Sequence, residues 1–172
     1  MDQNLKKILD SRVPTPTLNR WCSNFRQTKQ YADDHGIPLI AIVSKDECPN
    51  CRVMEASLLD EVYKDWMNKS GFLFYFGHLG EKNANLASAK KFVARDGIMP
   101  MARIWWNSGG RIKTDAHYSA AALKKSAAYL KDSFKNTLAD YTPQLKPAKH
   151  SVTPTPDRDQ PASDQPQSDA IR

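Results

Sequence analysis

Two apolar runs, in which hydrophobic residues follow one another without alternating with polar ones, dominate the pattern of the chain. The first extends from Pro38 to Ser44 (PLIAIVS) and the second from Phe72 to Leu79 (FLFYFGHL). Runs of this length are typical of strands that are buried on both faces, as in a parallel sheet. The pattern therefore predicts two central strands, joined by a right-handed crossover.

Amphipathic helices are predicted before, between and after these strands. Residues 1–16 form a short helical arm that ends at the breaker PTPT, and the next helix is predicted from about Leu18 to Asp34. In that helix apolar residues, among them Trp21 and Cys22, recur at helical spacing. Three further helices are predicted: one from the C-x-x-C motif to Gly71, one through Leu86 to Asp96, and one from Ser119 through Leu138.

The last part of the sheet is predicted to be a hairpin. Met101 to Trp106 (MARIWW) is a third strand, and the turn NSGG leads into a fourth short run, RIKT. Because adjacent strand residues face opposite sides, one of Trp105 and Trp106 is expected in the core and the other under a helix. The element order predicts an α/β fold with a central mixed sheet of about four strands, flanked by helices.

Length and composition suit one domain with extensions. The chain has 172 residues, of which 40% are hydrophobic and 26% charged, as in ordinary soluble globular proteins. No apolar run approaches the roughly 20 residues that span a bilayer, and the first residues lack the apolar core of a signal peptide. We expect a cytoplasmic protein without a membrane partner, divided into an arm (1–16), a domain (17–141) and a tail (142–172).

The predicted tail differs in composition from the rest of the chain. Residues 142–172 contain six of the eleven prolines, no glycine and no aromatic residue. Such a segment is predicted to be disordered when free, because it buries too little apolar surface to offset its ordering entropy. The net charge of +6 lies in the preceding residues, where Lys and Arg are dispersed. That pattern favours a solvated surface over a nucleic-acid partner.

Two cysteines directly after the first strand, Cys48 and Cys51, carry the clearest sign of chemistry. Thiol–disulfide exchange requires one exposed thiolate and a second thiol that resolves the mixed disulfide. At a helix start, free N–H groups and the helix dipole favour the anion of the first cysteine, and Pro49 suits the first helical position. We assign Cys48 as the nucleophile and Cys51 as the resolving thiol. Lys45 could stabilise the thiolate, whereas Asp46 and Glu47 oppose it.

Metal binding is the alternative chemistry for these cysteines. A structural zinc site needs four ligands, and the other candidates are Cys22 and four scattered histidines, without an H-x₃₋₅-H pair. We therefore expect neither a metal nor another cofactor. Cys22 is predicted to be a small buried hydrophobe, with a third redox or metal-binding thiol as the other interpretation.

The segment SKDECPNC, Ser44 to Cys51, resembles the glutaredoxin pattern S-K-x-x-C-P-x-C. Lys90 to Gly110 resembles the thioredoxin segment in which a helix leads through G-I-x-x-P into a strand. Over about 120 residues the element order is similar to that of the thioredoxin-like superfamily. This resemblance implies a cis bond between Met99 and Pro100, facing the cysteines. It also implies a substrate groove, which we expect to include Met99, Pro100, Lys45, Pro49 and Asn50.

Three positions differ from the family pattern. Glu47 replaces the tryptophan that precedes the first cysteine in thioredoxins, and Asn50 replaces the glutaredoxin aromatic between the cysteines. Ile42 occupies the place of a buried aspartate that helps to move protons in thioredoxins. The leading hypothesis is a thiol–disulfide oxidoreductase that acts on protein disulfides and is recycled by a reductase or by glutathione. The alternative is a non-catalytic subunit whose tail docks it into a larger assembly, such as a viral particle.

Overall fold

The structure is a computed structural model and describes residues 1–143. From residue 144 onward, the predicted disordered tail lies outside the described residues. Within them, the elements in chain order are α1 Gln3–Ser11, β1 Trp21–Cys22, α2 Phe25–His35, β2 Leu39–Ser44, α3 Pro49–Leu59, α4 Glu61–Met67, β3 Leu73–His78, α5 Ala84–Val93, β4 Met101–Ser108, β5 Arg111–Tyr118, α6 Ala120–Leu123 and α7 Ala127–Thr137.

A five-stranded mixed sheet forms the centre of the domain, with strand order β1-β3-β2-β4-β5. β1, β3 and β2 are parallel, whereas β4 and β5 are antiparallel additions on the other side of β2. Every residue of β2 and of β3 is buried, which confirms the two central strands that their continuous apolar runs predict. The mixed α/β fold is thus confirmed, with one strand more than the four expected.

Helices cover both faces of the sheet and create two apolar cores. On one face, Ile40 and Ile42 of β2 pack with buried residues of α1, α3, α4 and α7. On the other face, Ala41 and Val43 pack with buried residues of α2 and α5, and both cysteines of the C-x-x-C motif lie in this second core. The side chains of β2 therefore alternate between the two cores, as the pleat of a strand requires.

The prediction of a helix from Leu18 is wrong for its first turn, because Trp21 and Cys22 form strand β1. β1 pairs in parallel with β3, and Trp21 packs edge-on against Phe74 in the core. Helix α2 begins only at Phe25. The apolar spacing from Leu18 is matched equally well by a short buried strand followed by a helix. Cys22 is fully buried, as expected of a structural thiol.

Two predicted helices are each divided in two by an internal N-cap. Asp60 accepts a hydrogen bond from the Val62 N–H and begins α4, and Ser126 accepts one from the Tyr129 N–H and begins α7. Asp and Ser are favoured caps because their short side chains satisfy free helical N–H groups. The apolar pattern runs through both breaks, so periodicity alone does not reveal them.

Arg12, the residue after α1, ties this helix to the end of β3. Its guanidinium donates hydrogen bonds to the Phe76 carbonyl at 2.9 Å and to the Glu81 carboxylate at 3.0 Å. Burial alone raises the pKa of Glu81, but the hydrogen bonds and charge of Arg12, with a smaller contribution from His78, outweigh burial and lower that pKa below its usual value. Leu5 and Ile8 of α1 are fully buried, so α1 is an integral part of the core.

Replacing Arg12 tests how much these hydrogen bonds stabilise the fold. Arg12→Met keeps most of the aliphatic stem but leaves a half-buried carboxylate without its partner, and we expect a loss of about 2 kcal/mol of unfolding free energy in urea. The matched control is Lys69→Met, which removes an exposed pair with Asp65 and should cost less than about 1 kcal/mol.

The pH dependence of the same variant provides a second readout. A carboxylate whose pKa is lowered by folding contributes stability at neutral pH that is lost as the pH falls through its folded-state pKa. Arg12→Met should therefore reduce the difference in unfolding free energy between neutral and acidic pH. If acid lowers the unfolding free energy of the variant and of the wild type equally, Arg12 does not stabilise the fold through Glu81.

Candidate active site

The C-x-x-C motif lies where β2 leaves the sheet and α3 begins. β2 ends at Ser44, and four residues later Cys48 is the N-cap of α3, with Pro49 at the first helical position. The Cys48 sulfur accepts a hydrogen bond from the Cys51 N–H at 3.2 Å. The first cysteine thus replaces the usual capping oxygen at a helix N-terminus, where an anion is favoured.

Cys48 and Cys51 are joined by a disulfide, with their Cα atoms 5.2 Å apart. Cys51 is completely buried, whereas Cys48 keeps 6% of its surface exposed. Cys48 is therefore less exposed than the sequence predicts for an attacking thiol. One reason is the nearby segment before β4, whose Met99 carbonyl lies 3.6 Å from the Cys48 sulfur.

The Met99–Pro100 peptide bond is cis, as the resemblance implies. Because β4 is antiparallel to β2, with Met101 opposite Val43, the start of β4 lies beside the end of β2. This arrangement brings Met99 and Pro100 to Cys48. On the rim of the same region, the side chain of Ile98 is 58% exposed.

The loop before Cys48 presents its charged side chains to solvent. Lys45, Asp46 and Glu47 are exposed, as is Pro49, and Asn50 is half-buried. Glu47 has a φ of 51°, in the left-handed region that residues other than glycine rarely adopt. Of the five residues predicted for the groove, Met99 contacts the Cys48 sulfur and Pro100 follows it, whereas Lys45, Pro49 and Asn50 are neighbours of the cysteines along the chain.

The sequence-based predictions do not include Glu55, a buried residue of α3 one turn after Cys51. Glu55 is fully buried, and its Oε1 atom accepts hydrogen bonds from the Ser44 hydroxyl at 2.5 Å and from the Arg52 guanidinium at 3.0 Å. Its Oε2 atom has no hydrogen-bond partner among the described residues. A signal was present in the sequence: Cys51, Met54, Glu55 and Leu58 share one helical stripe, so a charged residue lies on the buried face of α3.

The environment of Glu55 favours its neutral form. Burial raises the pKa of this carboxyl group above its usual value, and the charges of Asp2 and Asp46 act in the same direction. The Ser44 hydrogen bond and the Arg52 charge oppose this effect without cancelling it. Arg52 also donates a 2.7 Å hydrogen bond to the Lys45 carbonyl, so Glu55 is linked to the loop that leads to Cys48.

His78 lies next to Ser44 in the sheet register, at the end of β3. It is 2% exposed, and its Nδ1 atom accepts a hydrogen bond from the Gly80 N–H at 3.3 Å. Its Nε2 atom lies 3.4 Å from an oxygen of Asp46. A neutral His78 that accepts at Nδ1 carries its proton on Nε2, directed towards Asp46.

Residues 1–143 contain no group of three or more His, Cys, Asp and Glu side chains placed to hold a metal ion. In the same part of the chain, no helix combines the length and the apolar character that crossing a bilayer requires.

Comparisons with known proteins find likeness only at the level of solved structures. No family model matches the chain, and no curated protein sequence matches it significantly. Among solved structures, the chain is similar to a thioredoxin from Thermus thermophilus, with 13% identity, a TM-score of 0.49, and coverage of 71% of this chain and 92% of that one.

Two further structures show likeness of the same kind. A disulphide isomerase from Xylella fastidiosa Temecula1 is 19% identical, with a TM-score of 0.44 and coverage of 66% of this chain and 89% of the isomerase. Oxidized thioredoxin O2 from Arabidopsis thaliana is 14% identical, with a TM-score of 0.42 and coverage of 73% and 93%. Because these sequence identities and TM-scores are low, the assignment of the fold depends on the topology of this chain.

That topology has three parts: the strand order of the sheet, the C-x-x-C pair at the start of the helix after β2, and the cis bond before β4. The resemblance implies the cis bond, and the C-x-x-C motif predicts the helix start at the cysteines. The chain therefore has a thioredoxin-like fold, and its resemblance to the thioredoxin-like superfamily is confirmed at the level of the fold.

Proposed function

We propose that this protein is a thiol–disulfide oxidoreductase that uses Cys48 and Cys51 as its redox pair. The observation that carries the proposal is the Cys48–Cys51 disulfide at the N-terminus of α3. Of the three cysteines, only Cys48 keeps any exposed surface. The small exposed surface of Cys48 and the complete burial of Cys51 give the asymmetry between an attacking and a resolving thiol on which thiol–disulfide exchange depends.

The reaction transfers two electrons from the dithiol to a substrate disulfide. The Cys48 thiolate attacks one substrate sulfur, the substrate disulfide breaks, and the first substrate thiol leaves with a proton from solvent. The Cys51 thiolate then attacks the Cys48 sulfur of the mixed disulfide. This step forms the Cys48–Cys51 disulfide and releases the second substrate thiol.

The position of Cys48 supports its role as the nucleophile. Its sulfur already accepts the Cys51 N–H, and a thiolate would strengthen this hydrogen bond and benefit from the helix dipole. Asp46 and Glu47 place negative charge in the same loop and moderate this effect. Cys51 is fully buried one turn later, which suits a thiol that reacts only with Cys48.

A protein disulfide is the substrate that we propose. Met99 and Pro100 beside the Cys48 sulfur, with Pro49, Asn50 and Lys45 across the motif, would form the groove for an extended segment. A reductase or glutathione would regenerate the dithiol. A docking role in a larger assembly stays a prediction, because the tail on which it depends continues beyond the described residues.

Replacing the proposed nucleophile gives the first test. Cys48→Ser should abolish reduction of a protein disulfide such as that of insulin, because serine is a poor nucleophile for a disulfide sulfur. The matched control is Cys22→Ser. The Cys22 sulfur lies 3.7 Å from the Thr17 and Arg20 carbonyls, which can accept a serine hydroxyl, so activity should persist. Equal rates for Cys48→Ser and wild type would refute the proposal.

Replacing the second cysteine tests the order of the two steps. Cys51→Ser should attack a peptide disulfide but fail to release it, so the mixed disulfide at Cys48 should accumulate and be detected by mass spectrometry. Cys48→Ser, treated in the same way, should trap no peptide. A mixed disulfide at Cys51 in the second variant would reverse the assigned roles.

A further inference from the structure

Resolution of the mixed disulfide creates a proton-transfer problem in this fold. Cys51 must lose its proton before it attacks, but its side chain is completely buried, so the proton cannot pass directly to bulk water. A buried group close to Cys51 is needed to accept it. This inference rests on the proposed function, because it concerns the second step of that reaction.

Glu55 has the position that this transfer requires. Cys51 and Glu55 are four residues apart on α3, and such pairs lie next to each other on one helix face, with Cβ atoms about 5–6 Å apart. Helical side chains lean towards the N-terminus of their helix, which directs the Glu55 carboxyl group towards the turn that holds Cys51. Its hydrogen bond with Ser44 at the end of β2 shows that it reaches this end of the sheet.

The hydrogen bonds of Glu55 leave one oxygen free for the proton. Ser44 and Arg52 both contact Oε1, whereas Oε2 is buried and unpartnered among residues 1–143. Leaving a buried carboxylate oxygen without a hydrogen-bond donor is costly. A proton taken from the Cys51 thiol would remove that cost.

His78 is the other buried titratable group at this edge of the sheet, and its geometry is less suitable. Its Nδ1 atom is occupied by the Gly80 N–H, so the neutral ring carries its proton on Nε2 and has no free acceptor. The Nε2 atom faces Asp46 in the loop. His78 therefore offers no free acceptor atom to the Cys51 proton.

We propose that Glu55 is the proton acceptor for Cys51 when the mixed disulfide is resolved. The Cys51 thiol gives its proton to Glu55 Oε2, and the resulting thiolate attacks the Cys48 sulfur. The Cys48–Cys51 bond forms, and the electron pair of the broken mixed disulfide leaves with the substrate sulfur. That thiolate takes a proton from solvent, and Glu55 loses its own proton before the next turnover.

The charged surroundings of Glu55 set the pH at which it can act. Arg52 on α3, Asp2 at the start of α1 and Asp46 in the loop all influence its charge, and His78 lies on the adjacent strand. Only the ionised carboxylate accepts a proton, so resolution should accelerate as the pH rises through the Glu55 pKa. Because burial raises this pKa, the acceleration should occur above the usual range for a glutamate.

Single-turnover kinetics separate the two steps of the reaction. A peptide disulfide is mixed with reduced protein, the reaction is stopped with acid at successive times, and mass spectrometry counts the mixed disulfide from about pH 5 to pH 9. Glu55→Gln should slow resolution on the order of 10²-fold at neutral pH, the typical contribution of a general base. It should also abolish the rise of the resolution rate with pH. The rate of attack by Cys48 should not change.

The control makes the same chemical change at an exposed carboxylate. Glu61→Gln on α4 alters a side chain that is 87% exposed, and both steps should keep their wild-type rates. If Glu55→Gln resolves the mixed disulfide at the wild-type rate, or slows both steps equally with no change in the pH profile, the inference is wrong. If reduced wild type forms neither a mixed disulfide nor the Cys48–Cys51 disulfide with the peptide, the proposed function itself fails.

A second variant tests the role of Glu55 if Glu55→Gln does not fold. Ser44→Ala removes the hydroxyl that stabilises the Glu55 carboxylate, which should raise the Glu55 pKa further. The acceleration of resolution should then move to higher pH while the attack by Cys48 is unaffected. An unmoved pH profile in this folded variant would overturn the inference.

Discussion

The central strand β2 is the constraint on which the rest of the structure depends. It is hydrogen-bonded on both sides, to β3 and to β4, and all six of its residues are buried. Its carboxyl end at Ser44 is therefore fixed between two cores. Only four residues separate this end from Pro49 at the start of α3, so the position of Cys48 follows from the sheet rather than from a mobile loop.

The same constraint explains why polar groups gather beneath the cysteines. Where β2 and β3 end, Ser44 and His78 are neighbours on one face, and α3 crosses that face with Glu55 turned inwards. A buried carboxyl group is costly unless it is hydrogen-bonded, and among residues 1–143 one Glu55 oxygen is hydrogen-bonded while the other has no partner. A buried carboxyl group with an unpartnered oxygen, one helical turn from a buried cysteine, is expected at a site where protons move.

The sequence predicts most of the fold because its strongest signals are local. Continuous apolar runs identify β2 and β3, and Pro49 between two cysteines indicates the start of α3. The helix predicted at Trp21 and Cys22 is wrong because a short strand leading into a helix reproduces helical spacing. The helical stripe of α3 indicates that Glu55 is buried, but its hydrogen bond with Ser44, eleven residues earlier, is a tertiary contact that local spacing does not show. The cis bond before β4 was expected only through the family resemblance.

The central claim is that Cys48 is the reactive sulfur of a redox pair, and its reactivity can be measured directly. Fully reduced native protein is given a short pulse of iodoacetamide, and the modified cysteines are counted by mass spectrometry after digestion. Because reactivity follows exposure and thiolate character, Cys48 should be alkylated at least about tenfold faster than Cys51 or Cys22. Alkylation of Cys51 or Cys22 before Cys48, or of all three at one rate, would contradict the claim.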